Sequence, residues 1–496
     1  VLTGDQGGSG TYDETTGRWT LSFNTAPAVD DEIQFTYNYY SELPIVGVLN
    51  YYKKDGTEKL LAVDTKRMAV WDTTDLVFKN AIESDVWDGA SKNFIWDWMW
   101  NDIMYMTNGV QQIQQYDNAT LSPFNIDIDG AGAANDVSTC KFILAHKSRL
   151  LIFAPTEATD GVCPQRVRWC KVNDPTDWTQ DEYVDADTLQ WIVTAEFLGD
   201  DIIVFFERSI WKLRYTADDD LPFVWEKILD TEGAYARFSI GVFSDELIAL
   251  GPTGLIATDG MDAYTLAKKL PDFTLSTATD KLEYAYNVDL DEMRQMWLSY
   301  VSPAQSLPSE VLCYNYEELN WSIFDLAFLT FGYYTIINDL TWDTAGEIRN
   351  DEEERAWDDK TTQAGYPLTL AGDNTGTIWR QNEGVTDNGA AINFTAISGR
   401  WNPYTEAGRE ARLGWIDFLV DTDASATFTV DFYKDTSPSA YKTVSVSCAG
   451  THDKTWMHIS IGEVAAFHQI KITHAGAQQI RIHAILPFFK RAGRLV

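Results

Sequence analysis

The chain has 496 residues, enough for about three domains at roughly 150 residues each. Its hydrophobic content of 45% excludes a disordered chain, and the 13% of aromatic residues suits the pleated surface of sheets. With 38 Lys and Arg against 74 Asp and Glu, the net charge of −36 excludes a protein that wraps DNA through its overall field, because phosphates are repelled.

Residues 1–42 read as a separate β-hairpin module. GTYDETTGRWTLSF places Trp19, Leu21 and Phe23 on one strand face after a Thr-Gly turn. DEIQFTYNYY then alternates Ile33, Phe35, Tyr37 and Tyr39 against more polar neighbours, with NTAPAVDD as the connecting loop. Two strands are marginal alone, so this module needs neighbours. The sequence opens on Val1 rather than Met, and further residues are expected upstream.

Residues 43–385 carry a loose repeat of a strand, a turn, a strongly apolar strand and a closing strand with an aromatic residue. GVLNYYKKDGTEKLLAVDTKRMAVWD (47–72) is the first unit and SKNFIWDWMWNDIMYMTNGVQQIQQYD (91–117) the second. Others start near residues 140, 191, 239 and 282, and the last joins FLTFGYYTIIND to PLTLAGDNTGTIWRQNEG. Seven units in this span give about 49 residues each, slightly above the roughly 40–45 of compact four-stranded blades. The pattern predicts a seven-bladed β-propeller, with six or eight blades as the alternative counts of a weak repeat, and with Ile95, Trp96, Trp98 and Ile202–Phe206 in blade interiors.

Residues 386–496 change character. FTVDFYKD, KTVSVS, KTWMHISI, QIKITHA and IRIHAILPFF are evenly spaced strands of a β-sandwich or jelly roll. The expected class is therefore all-β.

No phosphate-loop, nucleophile-elbow, H-E-x-x-H or dinucleotide-binding motif is present. Between 43 and 385 the one histidine is His146, in an HKSR segment that reads as a turn. Asp and Glu are too abundant for any pair to mark a glycosidase, and the sialidase Asp-box is absent. Trp-Asp pairs occur five times, but no Gly-His dipeptide accompanies them, so they read as strand ends rather than WD repeats. These absences predict that the chain is not an enzyme. Cys140, Cys163, Cys170, Cys313 and Cys448 form no C-x-x-C pair, which predicts buried thiols rather than a disulfide framework. No apolar run approaches the roughly 18 residues of a helical membrane span, and no leader pattern opens the chain.

NIDIDGAGAAND (125–136) is the one metal-like pattern. Asn125, Asp127, Asp129 and Asp136 copy the oxygen spacing of a calcium loop around Gly130, although position twelve is Asp and no helix pattern flanks it. Calcium is the one cofactor to which any residues point.

Several stretches resemble the tail nozzle, or hub, propeller proteins of podovirus-like bacteriophages. GTYDETTGRWTLSFNTAPAVDDEIQFTYNYY is similar to a hairpin insert of tail and baseplate proteins. FFERSIWKLRYT…PFVWEKI, GPTGLIATDG and CYNYEELNWSIFD resemble the nozzle propeller. GREARLGWIDFLVD…FTVDFYKD…HQIKITH…RIHAILPFFKRAGRL extends the likeness over nearly the whole chain. The resemblance implies a structural virion protein. Such subunits form a six-fold ring that continues the DNA-ejection channel and contacts adaptor or portal-side proteins and tail fibres or spikes. It also implies a virion tail location, assembly in the host cytoplasm and no membrane insertion.

A wall over which DNA slides should not hold phosphates, so a negative bore is expected. Asp218, Asp219 and Asp220, and Asp351, Glu352, Glu353 and Glu354, are the candidate lumen residues. Trp456, Lys490 and Arg491 are candidate partner contacts. Two competing readings are a carbohydrate- or receptor-binding module, using Trp456 and the C-terminal histidines, and a propeller glycoside hydrolase.

Overall fold

The computed structural model describes residues 2–3, 9–13, 18–22, 43–73, 77–80, 85–130, 135–243, 245–251, 254–266, 278–290, 293–335, 367–381, 386–387, 390–422, 424–450, 454–476 and 478–494. The protein is all-β. Among these residues there is no α-helix, and one short 3₁₀ turn spans Thr279–Tyr284. Among the described residues no helix is long and apolar enough to cross a membrane. The chain divides into two compact units, Val1–Gln381 and Asn382–Val496.

In the first unit, Ser9–Asp13 pairs with Arg18–Ser22 and with Leu2–Thr3. The expected NTAPAVDD loop and the strand after it lie outside the described residues. Small antiparallel sheets of the propeller type follow. Six have four strands, with first strands Ile45–Tyr52, Trp96–Trp100, Phe142–His146, Ile192–Leu198, Gly241–Phe243 and Tyr286–Leu290; five are simple meanders, and the third is interrupted by Thr156–Glu157 and Gly161–Val162, which form a small sheet with Val137–Thr139. A seventh has three described strands, Thr330–Thr335, Pro367–Gly372 and Ile378–Arg380. Each repeat start read from the sequence falls within a few residues of one of these first strands.

The second strands, such as Arg149–Phe153 and Asp201–Phe206, are buried almost throughout, because a neighbouring sheet covers each face. Fully burying a Leu, Ile, Val or Phe side chain is worth about 1.5–3 kcal/mol. Ile95 and Ile202–Phe206 are core, as expected, while Trp96 and Trp98 pack half-buried against it. Two tight turns hold positive φ: Asn101 and Asp102 (50° and 63°), residue types suited to it, and Lys147 and Ser148 (48° and 59°), which are not. The HKSR segment is therefore a hairpin turn. His146 itself ends a strand, buried against Phe197 and Phe223.

The seventh sheet packs directly on the first. Thr330 Oγ1 donates to the Ile45 carbonyl (3.3 Å) and Asn50 Nδ2 to the Tyr333 carbonyl (2.6 Å). Gly332 makes this approach possible, since a Cβ there would stand 2.4 Å from the Val48 carbonyl oxygen.

In the second unit, a five-stranded sheet faces a three-stranded one. Ala426–Lys434 alternates as sandwich strands should: Ala426, Phe428, Val430 and Phe432 turn inward, and Thr427, Thr429 and Asp431 outward. With Leu413, Ile416, Phe418, Ile459, Ile470 and Ile472 they form the sandwich core. All five cysteines are free thiols; four are buried and Cys448 is half-buried.

Candidate functional site: axial carboxylates and an open sheet face

In the first unit, side chains from non-adjacent sheets meet. Phe94, ahead of the second sheet, lies edge-on to Tyr286 of the sixth (5.1 Å) and to Phe238, ahead of the fifth (5.7 Å). Phe238 stacks on Tyr286 at 4.7 Å. The Arg237 guanidinium donates to the carbonyls of Phe94 and of Lys141 (2.6 Å for the latter), and Lys141 Nζ donates to the Ile192 carbonyl (2.7 Å). These contacts tie one end of the first strands into an aromatic and cationic plug. Burial holds Arg237 down to about 10, and burial followed by the Arg237 charge holds Lys141 down to about 8.

Three carboxylates lie on first strands of this region. Asp97, between Trp96 and Trp98, is half-buried, and desolvation pushes its carboxyl up to about 6. Glu196 is also pushed up to about 6, first by burial and then by the charge of Asp289. An N–H donated by Phe197 (2.9 Å) opposes that rise. Asp289 accepts from the Val242 N–H (2.8 Å) and from Asn287 Nδ2 (2.9 Å). Glu196 and Asp289 sit in the fourth and sixth sheets, so the charge effect joins sheets that are not neighbours in the chain. Carboxyl groups that change protonation near pH 6 can give or take a proton from a bound hydroxyl.

The second site is the outer face of the three-stranded sheet, whose strand order is Thr455–Ala465, Arg409–Thr422, Ile480–Arg494. Its register sets four rows across the sheet: Val464, Arg412 and Lys490; Ser460, Trp415 and Phe488; His458, Asp417 and Leu486; Trp456, Leu419 and Ala484. A bulge at Gly414 keeps Trp415 outward while Leu413 and Ile416 stay in the core. Trp415 stacks on Phe488 at 3.9 Å, and His458 Nδ1 lies 2.6 Å from Asp417 Oδ1. Trp456 is 51% exposed, Leu486 54% and Phe488 38%. Both outer strands are long, and among the described residues nothing pairs with their free edges.

Of the expected metal ligands, Asp127, Asp129 and Asp136 bring one carboxylate oxygen each within 4.8 Å of the others. The fourth expected ligand, Asn125, accepts from Gln112 Nε2 through its amide oxygen (2.8 Å). Oxygen donors suit a hard cation such as calcium. One oxygen of Asp136 already accepts from the N–H groups of Ile128 (2.8 Å) and Asp129 (3.2 Å), and one of Asp127 from that of Gly130 (2.8 Å). Asp218, Asp219 and Asp220 lie on the exposed turn between Ile210–Tyr215 and Phe223–Leu229. Asp351, Glu352, Glu353 and Glu354 lie outside the described residues. Trp456 and Lys490 share the open sheet face, whereas Arg491 pairs opposite Ala411 and sits over the Tyr404 ring at 5.7 Å. Among the described residues the C-terminal histidines have separate partners: His468 is buried on the Ala411 carbonyl, and His483 binds Asp421 (2.7 Å). Asp97, Glu196 and Asp289 escaped the sequence reading, because the three acids lie in separate repeats and no spacing links them.

No family model and no curated protein matches the chain. Among solved structures, it is similar to an exo-β-1,3-galactanase from Phanerochaete chrysosporium with galactose. That match has 8% identity, covers 79% of this chain and 95% of that one, and has a TM-score of 0.26. The same enzyme with β-1,3-galactotriose gives 8% identity, coverage of 90% and 100%, and a TM-score of 0.27. PorZ, a surface component of the type-IX secretion system of Porphyromonas gingivalis, gives 10% identity, coverage of 74% and 43%, and a TM-score of 0.36. At these scores the matches assign no activity. The expectation that the chain is not an enzyme is nonetheless corrected, because a glycoside hydrolase stands among the structures it matches.

Proposed function

We propose that the chain is a structural virion protein, a ring-forming nozzle or hub subunit of a bacteriophage tail that anchors neighbouring tail proteins. The observation that carries this reading is the C-terminal three-stranded sheet, with two long free edges and Trp456, Leu486 and Phe488 open on its face. A long, apolar, unpaired edge is an aggregation hazard unless another chain covers it. The resemblance to nozzle proteins runs over the same residues. In this reading the seven small sheets are seven blades. The plug of Phe94, Phe238 and Tyr286 argues that DNA passes through the bore between copies rather than along a blade axis. Negative-stain electron microscopy and sedimentation of the purified chain are expected to give closed rings with an open bore. A species that stays monomeric at every salt and protein concentration overturns the reading.

A second reading, recognition or cleavage of a glycan, is favoured by the half-buried Asp97 and Glu196 with their raised carboxyls. Release of reducing ends from a β-linked galactan or glucan, lost in both Asp97→Asn and Glu196→Gln, supports it. Absence of both binding and turnover removes it.

A further inference from the structure

The charge of this protein is segregated by unit. Residues 382–496 contain 11 Lys and Arg against 11 Asp and Glu, so the entire excess of −36 falls on Val1–Gln381. Within the neutral unit, five of the eleven cations are gathered at one end of the open sheet. Arg409 stands opposite Arg494, Arg412 opposite Lys490, and Arg491 opposite Ala411. All five cationic side chains are exposed, and among the described residues none of them forms an ion pair. Lys490 instead rests over the Phe488 ring at 5.7 Å, which joins the basic end to the apolar rows of Trp415, Phe488, Leu486 and Trp456.

Like charges placed side by side on neighbouring strands are destabilising. A soluble domain gains nothing from such an arrangement next to an apolar face, unless an anionic surface comes to lie on both. We propose that this face binds the acidic Val1–Gln381 unit of a second copy of the chain, giving a head-to-tail contact. The chemistry on the two sides is complementary: Arg412 and Lys490 beside an apolar platform, with Arg409, Arg491 and Arg494 at the same sheet end, meet a surface that carries the whole net negative charge. A contact between two unlike patches is heterologous, and repeated around an axis it closes a ring. The charged rim sets orientation and rate of encounter, and the desolvated aromatic rows hold the contact. This inference rests on the ring reading and specifies which surfaces build it.

The test uses the full chain. An equal mixture of isotopically light and heavy protein is treated with a zero-length carbodiimide reagent, and the cross-links are read by mass spectrometry. Lys490 is expected to join Asp or Glu residues within 1–381 of a differently labelled copy. In parallel, R412E/K490E is expected to raise the concentration at half-assembly about tenfold at low salt, and less at high salt where charges are screened. Unchanged thermal melting of the variant shows that it remains folded. Rings that form in wild type while Lys490 links only to residues 382–496, or while R412E/K490E assembles normally, overturn this interface and leave the ring reading standing. Wild-type protein that never assembles overturns both.

Discussion

At the scale of the residue, two carboxyl groups make opposite contributions. Asp97 has its folded carboxyl raised to about 6 from an ordinary value near 3.8, so the folded state holds the proton more tightly than the unfolded chain does. The resulting stabilisation is full below the unfolded value and is lost as pH rises through about 6. Wild-type stability, read as the melting temperature, is expected to fall across that window more steeply than that of Asp97→Asn, which cannot titrate there. Equal slopes would refute the burial argument. Glu157 acts the other way, as a fixed anion. It is buried and receives Arg168 through both carboxylate oxygens (3.0 and 3.1 Å), and Arg166 at 2.9 Å. Glu157→Ala strands the buried Arg168 guanidinium without its counter-charge and is expected to cost about 3–5 kcal/mol in urea unfolding. Glu157→Gln, which keeps a hydrogen-bond acceptor, should cost less.

At the scale of the element, the seam between the seventh and first sheets depends on shape rather than charge. Gly332→Ala places a methyl group within 2.4 Å of the Val48 carbonyl oxygen, an atom that cannot rotate away. The expected loss is about 1–3 kcal/mol by denaturant unfolding. Gly399→Ala, which meets nothing within 4 Å, serves as the neutral comparison. The same dependence on shape governs the sandwich. The bulge at Gly414 decides that Trp415 joins Phe488 on the open face instead of entering the core. A strand without that bulge would send every later side chain to the opposite face.

At the scale of the whole molecule, charge segregation makes assembly depend on salt. Surface charges interact over about 10 Å at 0.1 M ionic strength, so low salt should lengthen the reach of the basic sheet end toward an acidic neighbour. Light scattering of the full chain is expected to show assembly that strengthens as salt is lowered. The opposite trend, weakening as −36 copies repel one another, would mean that the basic end plays no part.

The strand segments and their order were legible in the sequence, because period-two alternation and turn residues are local signals. The repeat starts near 140, 191, 239 and 282 each found a sheet, and the switch of texture near 386 lies four residues past the boundary after Gln381. Burial of Ile202–Phe206 followed from the unbroken apolar run alone. Tertiary structure decided the rest. Glu196 and Asp289, roughly a hundred residues apart, sense each other's charge through sheet packing, and the desolvation of Asp97 is also tertiary, which no spacing rule encodes. The hydrogen bond from Gln112 to Asn125 likewise comes from a strand pairing rather than from the loop motif. The row of Arg412 and Lys490 exists because antiparallel register aligns residues 78 positions apart, and register is set by the core contacts of the opposite face.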